Sequence, residues 1–100
     1  MNSKGVKYEF SAIVWQYNGP GGWYFVSLPE EISEEIRTHL KLEEEGWGRL
    51  KVNAKVGKTE WKTAIWFDTK MNTYSLPLKS EIRKVEKLKK EENIEVQLWV

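Results

Sequence analysis

Basic side chains alternate with apolar ones in the middle of the chain, where they could contact an anionic ligand. Arg49, Lys51 and Lys55 lie on one face of a predicted strand, and Lys62 and Trp66 lie on the next strand. Basic groups hold phosphate, and a nearby aromatic ring stacks on an unpaired base. The four basic residues are therefore candidate contacts for nucleic acid. The alternative is a solvated sheet face, on which lysine is common and protects exposed edges.

A second set of candidates combines a basic pair with three tryptophans. Lys79 and Arg83 are spaced i,i+4 in a predicted helix, so they could hold a carboxylate or phosphate, or pair with the acidic helix. Most of the six tryptophans are expected in the core, but one or two could line a pocket, with Trp23, Trp47 and Trp66 as the candidates. These five residues support our leading interpretation, a binding module for a small anionic ligand or a protein partner.

Residues suited to catalysis are scarce. His39 is the single histidine and there is no cysteine, so a metal site of the usual nitrogen and sulfur ligands is not expected. The serines occupy junctions and helix starts, and the glutamates concentrate in the first predicted helix rather than facing one another across a cleft. We expect no enzyme activity and no cofactor.

Length and charge indicate one small soluble domain over residues 1–100. The net charge is +1, and no apolar run approaches the length of a membrane span. The absence of cysteine fits a reducing compartment, so we expect a cytoplasmic monomer. The charge is uneven: residues 30–45 carry seven glutamates against two basic residues, whereas residues 79–90 carry six basic residues against two glutamates. Either two solvated helix faces or a surface that steers a partner explains this pattern.

Hydrophobic periodicity predicts six strands and two helices. Period-two alternation marks strands at 6–17, 23–28, 49–56, 59–67, 74–76 and 94–100. Apolar residues at helical spacing mark one helix that ends near Leu42, with Ile32, Ile36 and Leu40 on its buried face. The second helix carries Ile82, Val85 and Leu88. Gly57-Lys58 predicts a two-residue hairpin turn.

The order of elements repeats. Ser27-Leu28-Pro29 and Ser75-Leu76-Pro77 lie 48 residues apart, and each follows a strand and precedes a helix. Both halves therefore follow the order β-β-α-β, as expected for an internal pseudo-repeat related by a pseudo-twofold axis. Two interlocked halves with six strands predict a closed all-β barrel with two short helices, since closure removes exposed sheet edges.

Motifs along nearly the whole chain carry a resemblance to a known family. They are Gly22-Trp23, Leu28-Pro29, Gly46-Trp47-Gly48, Trp61, Trp66, Tyr74-Ser-Leu-Pro-Leu-Lys79 and Arg83. Their order resembles domain-of-unknown-function family 1905, small proteins sometimes joined to a YdeI/OmpD-associated segment. This resemblance implies a double-split β-barrel and no established activity. Residues 74–100 also resemble half of an AbrB/MazE-type swapped-hairpin domain, which implies DNA binding as the alternative function.

Overall fold

The computed structural model of the protein describes residues 5–100, apart from the side chain of Trp47. Seven strands and two α-helices follow one another along the chain. They are β1 (Lys7–Ile13), β2 (Trp15–Gln16), β3 (Tyr24–Ser27), α1 (Glu30–Leu40), β4 (Arg49–Val56), β5 (Thr59–Asp68), β6 (Thr73–Pro77), α2 (Ser80–Glu86) and β7 (Asn93–Trp99), with short 3₁₀ turns at Lys41–Glu43 and Gly46–Gly48. The predicted mainly-β class is confirmed.

The strands form one curled antiparallel sheet in the order β1-β7-β4-β5-β6-β3-β2. This corrects the predicted closed barrel of six strands, because no ladder joins the edge strands β1 and β2 within residues 5–100. The difference arises at Val14, which is buried and divides the first predicted strand. Its N–H donates to the Glu92 carbonyl (2.9 Å) and its carbonyl accepts the Glu91 N–H (2.7 Å), whereas Trp15 already pairs with Phe25 of β3.

The hairpin of β4 and β5 is the longest ladder in the sheet. It runs from Arg49 opposite Trp66 to Val56 opposite Thr59, with the predicted turn at Gly57-Lys58 between them. Gly57 has φ +61°, a left-handed conformation that glycine adopts without strain. Because successive side chains alternate between faces, this register places Arg49, Lys51, Lys62 and Trp66 together on the outer face of the sheet.

Both helices cover the inner face of the sheet after an extended Leu-Pro segment. In α1 Ile36 is buried and Ile32 and Leu40 pack against the core, which confirms the predicted stripe. In α2 Ile82 is buried, but Val85 is 67% exposed, so the predicted stripe is wrong at that position. The reason is length: α2 has seven residues and ends at a left-handed Lys87, so it presents only one turn to the core.

Aliphatic residues and Tyr74 fill the core, whereas the tryptophans do not. Trp23 is 59% exposed and Trp66 40% exposed, and Trp15, Trp61 and Trp99 are half-buried. The expectation that most tryptophans lie in the core is therefore wrong, because only Trp61 of the five described side chains packs against it. Strand alternation places Trp15, Trp66 and Trp99 on the outer face, and Trp23 lies just before β3.

The two Leu-Pro junctions are joined by reciprocal hydrogen bonds. The Leu28 N–H donates to the Tyr74 carbonyl (2.9 Å), and the Leu78 N–H donates to the Tyr24 carbonyl (2.8 Å). These bonds relate positions 50 residues apart, whereas the matching sequence triplets are 48 apart. Helices α1 and α2 also begin 50 residues apart, at Glu30 and Ser80.

Candidate functional site

A basic pocket of about 710 Å³ opens on the outer face of β4 and β5. Four cationic side chains line it, those of Arg49, Lys51, Lys62 and Lys79, and Trp66 stands at its edge. Ala64 forms a small floor between larger neighbours. It lies opposite Lys51 in the β4–β5 ladder and is 5% exposed. Hence β4 and β5 contribute three of the cations through their register, and the segment after β6 contributes Lys79.

The charged side chains that line the basic pocket are all positive. Its lining contains no Asp or Glu side chain. Glu45 lies beside it, where its carboxylate accepts a hydrogen bond from the Arg49 guanidinium and stands 3.5 Å from the Lys51 ammonium. The hydrogen bond from Arg49 is the main cause that holds the pKa of Glu45 below its ordinary value, and nearby Lys51 contributes to the same effect.

The structure separates the remaining sequence candidates from this pocket. Lys55 lies further along β4, in a shallow depression that it shares with Glu9 and Glu95. Arg83 turns toward the body of the protein: its guanidinium stacks 3.9 Å from the Tyr24 ring centroid, and its Nε donates to the Leu78 carbonyl. The predicted Lys79–Arg83 clamp is therefore not formed. The side chain of Trp47 lies outside the described residues.

An aromatic groove of about 450 Å³ adjoins the basic pocket on the same face. Its lining includes the rings of Trp15, Tyr17, Trp23, Phe25 and Trp66, with Ser75 and Pro77 at its base. Trp66 and Pro77 belong to both depressions, so the two share a wall. Of the sequence candidates, Trp23 and Trp66 are in this groove. Trp15, Tyr17 and Phe25 were not among the predicted site residues.

Two rings of the groove are held rigidly. Trp15 stacks on Phe25 with centroids 4.9 Å apart, and its indole N–H donates to the Ser27 hydroxyl (2.9 Å). Trp23 instead leans over Gly21, where an added Cβ would stand 2.8 Å from the indole nitrogen. Gly21 has φ +87°, a conformation that favours glycine, and the nearby indole leaves little room for a larger side chain.

The other polar clusters hold the fold together and lie elsewhere. Tyr74 donates its hydroxyl hydrogen bond to Glu44, which also pairs with Arg37 at 3.6 Å. Burial, followed by this hydrogen bond, raises the pKa of Tyr74 well above its ordinary value. His39 is exposed on α1, and within the described part of the chain no group of three or more acidic or histidine side chains could hold a metal ion.

Comparison with known proteins adds the family. The family model described as a domain of unknown function (DUF1905) matches residues 10–98. The chain belongs to this family. The match includes every strand and helix of this DUF1905 protein except the ends of β1 and β7, and it confirms the resemblance seen in the sequence motifs.

The family is described only as a domain of unknown function, so membership assigns no activity to the site. No curated protein matches this DUF1905 chain. None of the helices in its described portion has the length and apolar character needed to cross a membrane.

Proposed function

We propose that this DUF1905 protein is a non-enzymatic binding module that holds an anionic ligand in the basic pocket. The observation that carries the proposal is the pocket's lining, with four cations and no acidic side chain around a small floor at Ala64. Like charges held close together on a folded surface repel one another, and an anion between them removes that repulsion. The pocket volume lies in the range of ordinary small-ligand sites.

The proposal includes no catalytic role because of where the groups with shifted pKa values lie. Shifted pKa values cluster at catalytic sites. Here the raised pKa values belong to Tyr8 and Tyr74, whose hydroxyls donate to Glu35 and Glu44 away from the basic pocket. Glu45 is shifted only because it is paired with the pocket's own cations.

Thermal melting with sodium tripolyphosphate at low salt tests the proposal. A ligand at ten times its Kd adds about 1.4 kcal/mol of stability, which raises the melting temperature by roughly 6–11 °C in a domain of this size. Lys62→Glu combined with Lys79→Glu should remove the increase. The matched control, Lys70→Glu with Lys90→Glu, makes the same charge change at exposed turns outside the pocket and should retain it. Equal increases in both variants would show nonspecific charge binding and refute the proposal.

We also propose that the two halves form an internal duplication in a monomer. The reciprocal hydrogen bonds between Leu28 and Tyr74 and between Leu78 and Tyr24 support it, because a local twofold axis generates such pairs. A crystal structure would test the register: residues 24–36 should superpose on residues 74–86 with an offset of 50. A failure to superpose, or a dimer in solution by light scattering, would contradict this proposal.

A further inference from the structure

We propose that the ligand is a nucleotide unit with an unpaired base, as in single-stranded nucleic acid: the base stacks in the aromatic groove and the phosphates lie in the basic pocket. This inference rests on the proposed anion-binding function and adds the class of ligand. Its basis is the junction of the two depressions at Trp66 and Pro77.

The groove suits a flat, uncharged ring. Trp23 and Tyr17 are 59% and 50% exposed, so part of each ring is accessible, whereas Trp15 and Phe25 stack on each other and form a firm wall. The single acidic lining residue, Asp68, is occupied in its own turn, where its carboxylate accepts the backbone N–H groups of Lys70 and Met71 at 2.9 and 3.2 Å. Aromatic faces bind unpaired bases of any sequence.

The basic pocket suits the phosphates of the same ligand. The Arg49 guanidinium lies 5.7 Å from the centroid of the Trp66 ring, so the cations of the basic pocket are next to the aromatic groove. Lys62 is four residues from Trp66 on β5, a distance of about 13 Å along an extended strand. One surface therefore offers stacking at one end and positive charge at the other, which matches a base joined to a phosphate chain. Duplex DNA is excluded from this mode because its bases are already stacked on one another.

The number of cations sets the expected salt dependence. Glu45 pairs with Arg49 and Lys51, so between two and four positive charges act on the ligand. For a single strand the slope of log affinity against log salt is about −0.7 per charge, so affinity should fall roughly 7- to 50-fold between 50 and 200 mM salt.

Fluorescence anisotropy tests the inference with a labelled dT10 oligonucleotide, an abasic 10-mer of the same charge and a dT10·dA10 duplex. We expect dT10 to bind more tightly than both. Trp23→Ala should weaken dT10 binding about 5- to 150-fold, the range for loss of one stacked base, and Trp23→Phe should restore part of it. Leu42→Ala, which truncates a fully exposed residue outside the groove, is the control and should have no effect.

The outcomes separate this inference from the proposed function. Tripolyphosphate should stabilise Trp23→Ala as much as the unsubstituted protein, because the basic pocket is intact. If dT10 and the abasic strand bind equally, or if duplex binds as tightly as dT10, the stacking inference is overturned while anion binding stands. If tripolyphosphate also fails to bind, both fall. Competition of TTP with labelled dT10 distinguishes the source of the ligand. TTP that binds as tightly as dT10 identifies a free nucleotide, and TTP that binds much more weakly identifies a strand.

Discussion

Replacing Glu45 by glutamine should strengthen anion binding, because it removes a negative charge beside the basic pocket. Glu45 pairs with two of the four pocket cations, Arg49 and Lys51, and so competes with a ligand for them. Its pKa is lowered, chiefly by the Arg49 hydrogen bond, so the carboxylate is ionised at neutral pH. Glutamine keeps the size of the side chain and removes the charge.

The size of the effect follows from exposure. The side chains of Glu45 and Lys51 are 46% and 75% exposed, so water and salt screen the repulsion between the Glu45 carboxylate and an anion held by the same cations. Glu45→Gln should therefore tighten tripolyphosphate binding by roughly 1.5- to 5-fold, the range of an exposed charge interaction.

Isothermal titration calorimetry with tripolyphosphate in 20 mM salt measures this change, since screening is weak there. Glu31→Gln is the matched control, because Glu31 is exposed in the first turn of α1, away from the basic pocket. The salt slope should also become steeper, as both released cations then act on the ligand. Affinity that is unchanged or reduced in Glu45→Gln would refute the reasoning.

Three further predictions concern stability. Tyr74→Phe removes a hydrogen bond to the carboxylate of Glu44 and should cost about 2 kcal/mol, seen as a lower urea midpoint; an unchanged midpoint would contradict it. Burial, with the bond to Glu35, raises the pKa of Tyr8 to about 12, so the unfolded tyrosine ionises first and the free energy of unfolding should fall between pH 10 and 12. Tyr8→Phe should reduce that fall, and an identical pH profile would count against it. Gly57→Ala at φ +61° should cost about 1–2 kcal/mol, and a melting temperature equal to that of the original protein would show that the turn tolerates a side chain.

Much of the fold follows from local pattern. Strand β4 alternates strictly and is joined to β5 through Gly57, so the existence, pairing and outward faces of this hairpin are readable from the sequence. The division at Val14 is not readable, because the apolar run Ile13-Val14-Trp15 fits one strand covered on both faces as well as it fits a change of partner. Only the buried position of Val14 and its backbone bonds to Glu91 and Glu92 reveal that the chain changes neighbours there.

The site is readable only in part, because it depends on which strands become neighbours. Pairing of Arg49 with Trp66 unites two predicted candidates, and Lys79 joins them because β6 pairs with β5. Local pattern cannot show that Arg83, four residues further on in α2, stacks on Tyr24 instead. Nor does it identify Ala64 as a pocket floor, since a small residue on an outer face has no distinctive sequence signal.

The central claim is that anions bind in the basic pocket, and amide chemical shifts test it most directly. A ¹⁵N-labelled sample titrated with tripolyphosphate should show its largest saturable shifts at Arg49, Lys51, Lys62 and Lys79. The exposed lysines Lys84 and Lys90, at and beyond α2, should change little, although they carry the same charge. Shifts that are absent, or that are as large at Lys84 and Lys90 as in the pocket, would contradict the account.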